Sequence, residues 1–162
     1  MTASKLLYSN LKEAASSDAA SSDASGVNGV AADPAVLRLR PHHLLCLQTF
    51  VGHGYSDEFV AHMTHVQKQL VADPHTPIAL VDGSDDLCRH CPNCVGGQCT
   101  SEKPALFDRL AAARLPQQKG IGTPYSLSGI PESLHISEEL LAACCPGCEW
   151  KELCVRVCQT LQ

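Results

Sequence analysis

Nine of the ten cysteines fall in two short stretches, Cys88-x2-Cys91-x2-Cys94-x4-Cys99 and Cys144-Cys145-x2-Cys148-x5-Cys154-x3-Cys158. A gap of two residues lets both sulfurs of a tight turn face one metal ion or cluster iron. A disulfide framework spreads its cysteines more evenly and follows a signal peptide, so metal or cluster binding is the chemistry this spacing predicts. The first stretch is close to the bacterial ferredoxin run, but its last gap is four residues and Thr100, not proline, follows Cys99. The pairs Cys88/Cys91 and Cys145/Cys148 equally satisfy a four-cysteine zinc site of the ribbon kind. Spacing alone does not separate the two, since zinc and cluster iron both accept tetrahedral thiolates. Ten thiols exceed the four that a zinc ion needs, which favours iron–sulfur and leaves room for two sites. The plain alternative is a set of buried free thiols, a common fate for a lone cysteine.

The second constellation is Arg40-Pro41-His42-His43-Leu44-Leu45-Cys46. On a helix, His42 and His43 stand four and three residues from Cys46 and share its side of the cylinder. Such a trio suits an activated thiol nucleophile, acid–base work or metal ligation, and His42, His43 and Cys46 are the candidate catalytic residues. Arg40 and the helix N-terminus would add a positive corner for an anion or a thiolate. The competing reading packs Cys46 among leucines with His42 on a backbone group or in water. The remaining histidines are scattered and read as surface residues; His90, inside the first cluster, reads as a solvated loop side chain. Trp150, directly after Cys148-Glu149, could cover a metal turn or pack against the last helix.

These residues need elements to position them. Val36 to Arg40 alternates as a short half-exposed strand does. Pro41 opens a helix from His42 to about Val51. Ser56 caps a second helix, whose Phe59, Met63, Val66 and Leu70 form one apolar face to about Ala72. Ile78 to Val81 reads as a buried strand, and the turn Asp82 to Asp86 delivers the chain to a first cysteine segment expected to be loop. Ser101 is expected to cap a helix to about Arg114, and Pro116 to Pro131 is turn-rich. Ser137 caps a short helix into the second cluster, and Leu153, Val157 and Leu161 mark a last amphipathic helix. The pattern predicts an α+β, mostly helical fold: a small single domain with two cysteine-rich metal-binding loops.

Composition sets outer bounds. At 162 residues the chain is one domain long, with ordinary apolar content (44%) but only 4% aromatics, so a bound metal would be a useful extra cross-link. A formal charge of −5 argues against nucleic acid. No run of eighteen apolar residues exists to span a membrane. Residues 1–35 are rich in Ala, Ser and Asp without apolar periodicity and read as a disordered tail, leaving 36–162 as the cysteine-rich domain. That tail resembles neither a secretory signal nor an Arg-rich transit peptide, so the cytoplasm, where thiols stay reduced, is the expected compartment.

Taken together the motifs resemble a family of small bacterial and archaeal proteins of unknown function, suspected of binding iron–sulfur. They share the opening that stands here as Leu39-Arg40-Pro41-His42-His43-Leu44-Leu45-Cys46. The step Gly52-His53-Gly54-Tyr55-Ser56-Asp57-Glu58-Phe59-Val60, the turn Asp85-Asp86-Leu87-Cys88-x2-Cys91-Pro92 with Cys99, and the signature Cys145-x2-Cys148-Glu149-Trp150 with Cys154 are similar too. The likeness spans about residues 37–155, with Cys94, Cys144 and Cys158 outside its pattern. It implies ligands at Cys88, Cys91, Cys99, Cys145, Cys148 and Cys154. The expected cofactor is an iron–sulfur cluster, 4Fe-4S in kind, with zinc as the alternative. The expected role is electron transfer, a redox step or sulfur handling with an unknown redox or protein partner. The rivals are a structural zinc module for a protein interaction and a thiol enzyme built on Cys46. Cys88, Cys91, Cys145 and Cys148 are expected to share one centre.

Overall fold

The computed structural model describes residues 36–116, 124–126 and 129–160, so the expected tail lies outside the described residues. Strand β1 (Leu37–Leu39) buries both leucines and exposes Arg38, the alternation that the sequence predicts. Pro41 stands at the start of α1 (Pro41–Thr49), where its missing N–H loses no hydrogen bond. Ser56 caps α2 (Asp57–Ala72) by accepting the Phe59 N–H at 3.1 Å, and Asp57 and Glu58 sit in the positive first turn. Strand β2 (Ile78–Leu80) then pairs parallel with β1, Leu37 opposite Ile78 and Leu39 opposite Leu80. Parallel neighbours need a long crossover, and α1 with α2 supplies it.

A 3-10 turn (Leu87–His90) leads to β3 (Cys94–Val95) and β4 (Gln98–Cys99), an antiparallel hairpin. This segment is therefore not simply loop as expected. Gly96 and Gly97, at φ 58° and 78°, take the left-handed backbone that a two-residue hairpin turn requires. Helix α3 (Lys103–Ala112) follows, with Glu102 rather than Ser101 at its N-cap and no side-chain cap bond. From the turn-rich stretch, β5 (Pro124–Tyr125) adds antiparallel to β2, completing a sheet of order β1–β2–β5. Two residues of pairing are too short for periodicity to reveal. Helices α4 (Glu138–Cys144), capped by Ser137, and α5 (Lys151–Thr160) close the chain; Leu161 lies outside the described residues.

The fold is thus α+β and mostly helical, as expected. Its core is aliphatic: Leu39, Leu44, Leu45, Leu47, Leu70, Ile78, Leu80, Leu87, Leu134 and Leu141 are all fully buried. Two buried glutamines lock α1 into it. Gln48 donates to the Leu44 and Leu134 carbonyls and accepts the Ile136 N–H, while Gln67 donates to the Leu47 and Phe50 carbonyls at the end of α1. The Gln67 bonds satisfy carbonyls at the end of α1 that would otherwise be orphaned. The helix that carries His42, His43 and Cys46 is held at its far end. None of the described helices is long and apolar enough to cross a membrane.

Candidate metal centre

Helix α1 turns His42, His43, Cys46 and Thr49 toward one cavity of about 90 Å³, the three- and four-residue spacing placing them on one side. Across the cavity stand Cys145, Cys148 and Cys154, delivered by the junction of α4 and α5. Cys145 ends α4; Pro146 and Gly147 reverse the chain, and the Cys148 N–H donates to the Cys145 carbonyl at 3.3 Å. Cys154 sits on the first turns of α5, where the Thr49 hydroxyl donates to its sulfur at 3.1 Å. Four thiols, one of them about a hundred residues away in sequence, therefore line a single space. Tyr55, Phe59, Phe107 and Trp150 wall it, the Trp150 indole meeting Tyr55 edge-on with ring centres 5.9 Å apart. The sparse aromatics are concentrated here, where they exclude water.

Burial pushes the Cys46 thiol well above its ordinary range, and the neighbouring sulfurs of Cys154, Cys145 and Cys148 push it further. Burial likewise raises Cys145 to about 12 and raises Cys154, the latter despite the bond from Thr49. Such thiols are the reverse of an activated nucleophile, whose pKa is depressed. A bound cation is what would let them ionise together. Gly147 has φ 70°, and in that left-handed backbone a side chain is strained. Gly147→Ala is expected to cost about 1–2 kcal/mol and to loosen the Cys145–Cys148 turn, checked by melting temperature and metal content.

The histidines are oriented by carboxylates. His42 donates its Nδ1–H to Asp108 Oδ1 at 2.6 Å, and His43 Nδ1 lies 2.5 Å from Asp85 Oδ2. Each ring therefore has Nε2 left for the cavity it lines, and the rings sit 4.2 Å apart. Burial, then the nearby His43, hold His42 down to about 4, so it is neutral near pH 7. Burial alone would raise Asp108 and Asp85. Bonds from His42 and Arg40 to Asp108, and from His43, the Arg40 amide and Cys88 to Asp85, outweigh it and leave both carboxyls below their ordinary range.

The expected positive corner at Arg40 is filled from inside. Its guanidinium grips Asp108 Oδ2 through Nε at 2.7 Å and NH2 at 2.6 Å, and the His42 amide donates to Oδ1. The anion at the helix N-terminus is thus the protein's own.

Cys88 faces Asp85 and Arg40, and the four-thiol cavity forms without Cys88 or Cys91. Cys91 keeps company with Cys94 and Cys99. Cys144 and Cys158 pack in the core. Among the described residues, His43, Asp85 and Cys88 are the one group of three donors all within 4.8 Å of one another. Asp85 already accepts from His43, the Arg40 amide and the Cys88 amide there, so that group closes on itself. Asp85 and Asp108 are the functional residues that sequence reading missed. Asp85-Asp86 reads in sequence as turn chemistry, and no local signal marks Asp108 within its helix. Of the other histidines, His90 is exposed as expected, whereas His62 is half-buried with Nε2 on the Asp86 carbonyl.

Residues 54–154 match the model of a family described as "Protein of unknown function (DUF1284)". No curated protein and no solved structure matches the chain.

Proposed function

The chain belongs to the DUF1284 family, whose description assigns no reaction, and from the site itself we propose that it is an iron–sulfur protein. In this reading Cys46, Cys145, Cys148 and Cys154 ligate one cluster of the four-iron kind. The observation that carries it is the gathering of four thiols from three segments in one aromatic-walled cavity. The donor set fits the group. Four thiolates are the usual ligands of such a cluster. A single zinc would want sulfurs about 3.8 Å apart, from a Zn–S distance of about 2.3 Å; no three of these thiols come within even 4.8 Å of one another. Their wider spacing, set by packed helices, supports a larger group.

When bound, such a cluster supplies one-electron redox chemistry. The remaining tasks fall to this chain's side chains. Tyr55, Phe107 and Trp150 exclude water from the sulfurs, a lever on potential. His42 and His43, fixed through Nδ1 by Asp108 and Asp85, present Nε2 beside the centre, His42 as a neutral hydrogen-bond acceptor. That combination suits electron transfer, or a redox or sulfur-handling step, with a partner or substrate reaching the cavity mouth at the exposed Tyr55.

Purification without oxygen tests the reading. The protein should be brown and hold about four iron and four acid-labile sulfide per chain. Colourless protein with equimolar zinc in the cavity would sink it. In the loaded protein, His42→Gln with His43→Gln is expected to keep the iron and shift the midpoint potential by on the order of tens of millivolts. A redox titration matching the parent would reduce both rings to scaffolding.

A further inference from the structure

The cysteines left over from the cavity are not scattered. Cys94 and Cys99 are direct partners across the β3–β4 hairpin. Cys91 opens the turn that leads into this pair, and Cys99 and Cys94 are the thiols that act on it electrostatically. The Cys94 N–H donates to the Cys91 carbonyl at 3.0 Å, making a tight turn. Cys91-x2-Cys94 also has the two-residue gap of a structural metal-binding turn, here feeding a cross-strand cysteine pair.

A second observation concerns what holds the hairpin. Its strands are two residues each, Val95 is 64% exposed, and no residue from 92 to 102 is buried. A two-stranded hairpin with no apolar face is marginal in water. The Ser84 hydroxyl donates to the Gly97 carbonyl at 2.6 Å and lies 3.6 Å from the Cys94 sulfur, which ties the hairpin to one neighbouring loop. Three thiols on a hairpin with no core call for a cross-link of another kind.

We infer that Cys91, Cys94 and Cys99 form a second metal site, separate from the cavity, that takes one thiophilic divalent ion of the zinc class. Cys88 stays with Asp85 and Arg40, and the fourth position falls to solvent or an external group. The three sulfurs are not all within 4.8 Å of one another, so binding must draw them in. Here, unlike in the cavity, an exposed hairpin with a glycine turn is free to close, and closing on the ion would order it. The inference does not rest on the iron–sulfur reading, because the two sites share no ligand.

The test uses the full chain carrying Cys145→Ser and Cys148→Ser, reduced and without oxygen, titrated with Co²⁺ alone. One equivalent should bind, with a thiolate-to-cobalt charge-transfer band sized for three sulfurs. Adding Cys94→Ser or Cys99→Ser should abolish the band, whereas adding Cys88→Ser should leave it. No band, or loss of the band with Cys88→Ser, overturns the proposal. A second measurement covers variants that fold poorly: alkylation mapping of the parent protein with and without Zn²⁺. Zinc should slow modification of Cys91, Cys94 and Cys99 at least tenfold. Equal rates, or a Cys94–Cys99 disulfide persisting under reductant, would also overturn it.

Discussion

Serine in place of Cys46, Cys145, Cys148 or Cys154 is expected to remove most of the bound iron and sulfide, each variant alone. Serine in place of Cys94 or Cys99 should leave both near the parent level. The contrast follows from geometry. The first four sulfurs border one cavity, and the other two sit on an exposed hairpin. Because ligation and folding are linked, the four cavity variants should also melt earlier. The sharpest case is Cys46. Spacing gives it no cysteine partner, yet it faces Cys145, Cys148 and Cys154 from α1, and replacing it with serine should cost as much iron as replacing Cys148. Iron and sulfide analysis of six variants purified without oxygen decides the matter. Retention of full iron in Cys46→Ser, or its loss in Cys99→Ser, would place the centre elsewhere.

Local signals were legible wherever they act over a few residues. The Ser56 and Ser137 caps, Pro41 at the start of α1, and the apolar face from Phe59 to Leu70 all depend on neighbours within a turn or two. The Cys145-x2-Cys148 turn belongs to the same class, because Gly147 makes it tight by itself. Assembly was less legible. Cys46 and Cys145 meet only because the α1 crossover stacks against the α4–α5 junction, and nothing in either segment states that. The Cys88-x2-Cys91 gap pointed two sulfurs at one centre. In the fold, Asp85 accepts the Cys88 amide at 3.0 Å and holds the Cys88 thiol beside Arg40. Spacing describes what a turn permits. A buried carboxylate that must collect donors settled which way that side chain went. For the same reason the histidine pair was found from sequence while its orienting partners, 42 and 66 residues away, were not.

The second large effect is expected at Asp108, which touches none of the four thiols. Asp108 is buried, and its carboxylate accepts from the Arg40 guanidinium, the His42 ring and the His42 amide, joining α3 to the start of α1. Asp108→Ala would leave the buried Arg40 charge without its closest counterion, a loss of about 3–5 kcal/mol, or roughly 10–20 °C in melting temperature for a chain of this size. Replacing both partners, Arg40→Met with Asp108→Leu, should recover much of that loss, since an apolar pair needs no compensation. The pH dependence of chelator-treated protein supplies an independent check. Folded His42 resists its proton until about pH 4, while the unfolded ring takes one near 6.5, so stability should fall as pH drops through that window. The Asp108 carboxyl, held below its ordinary value, contributes stability above the unfolded carboxylate range and loses it as pH falls through its lower folded value. Asp108→Ala should therefore start lower and show a shallower loss at the acid end. An Asp108→Ala protein that melts with the parent, or a double variant no better than the single one, would mean that α1 is held by Gln48 and Gln67 and by core packing alone.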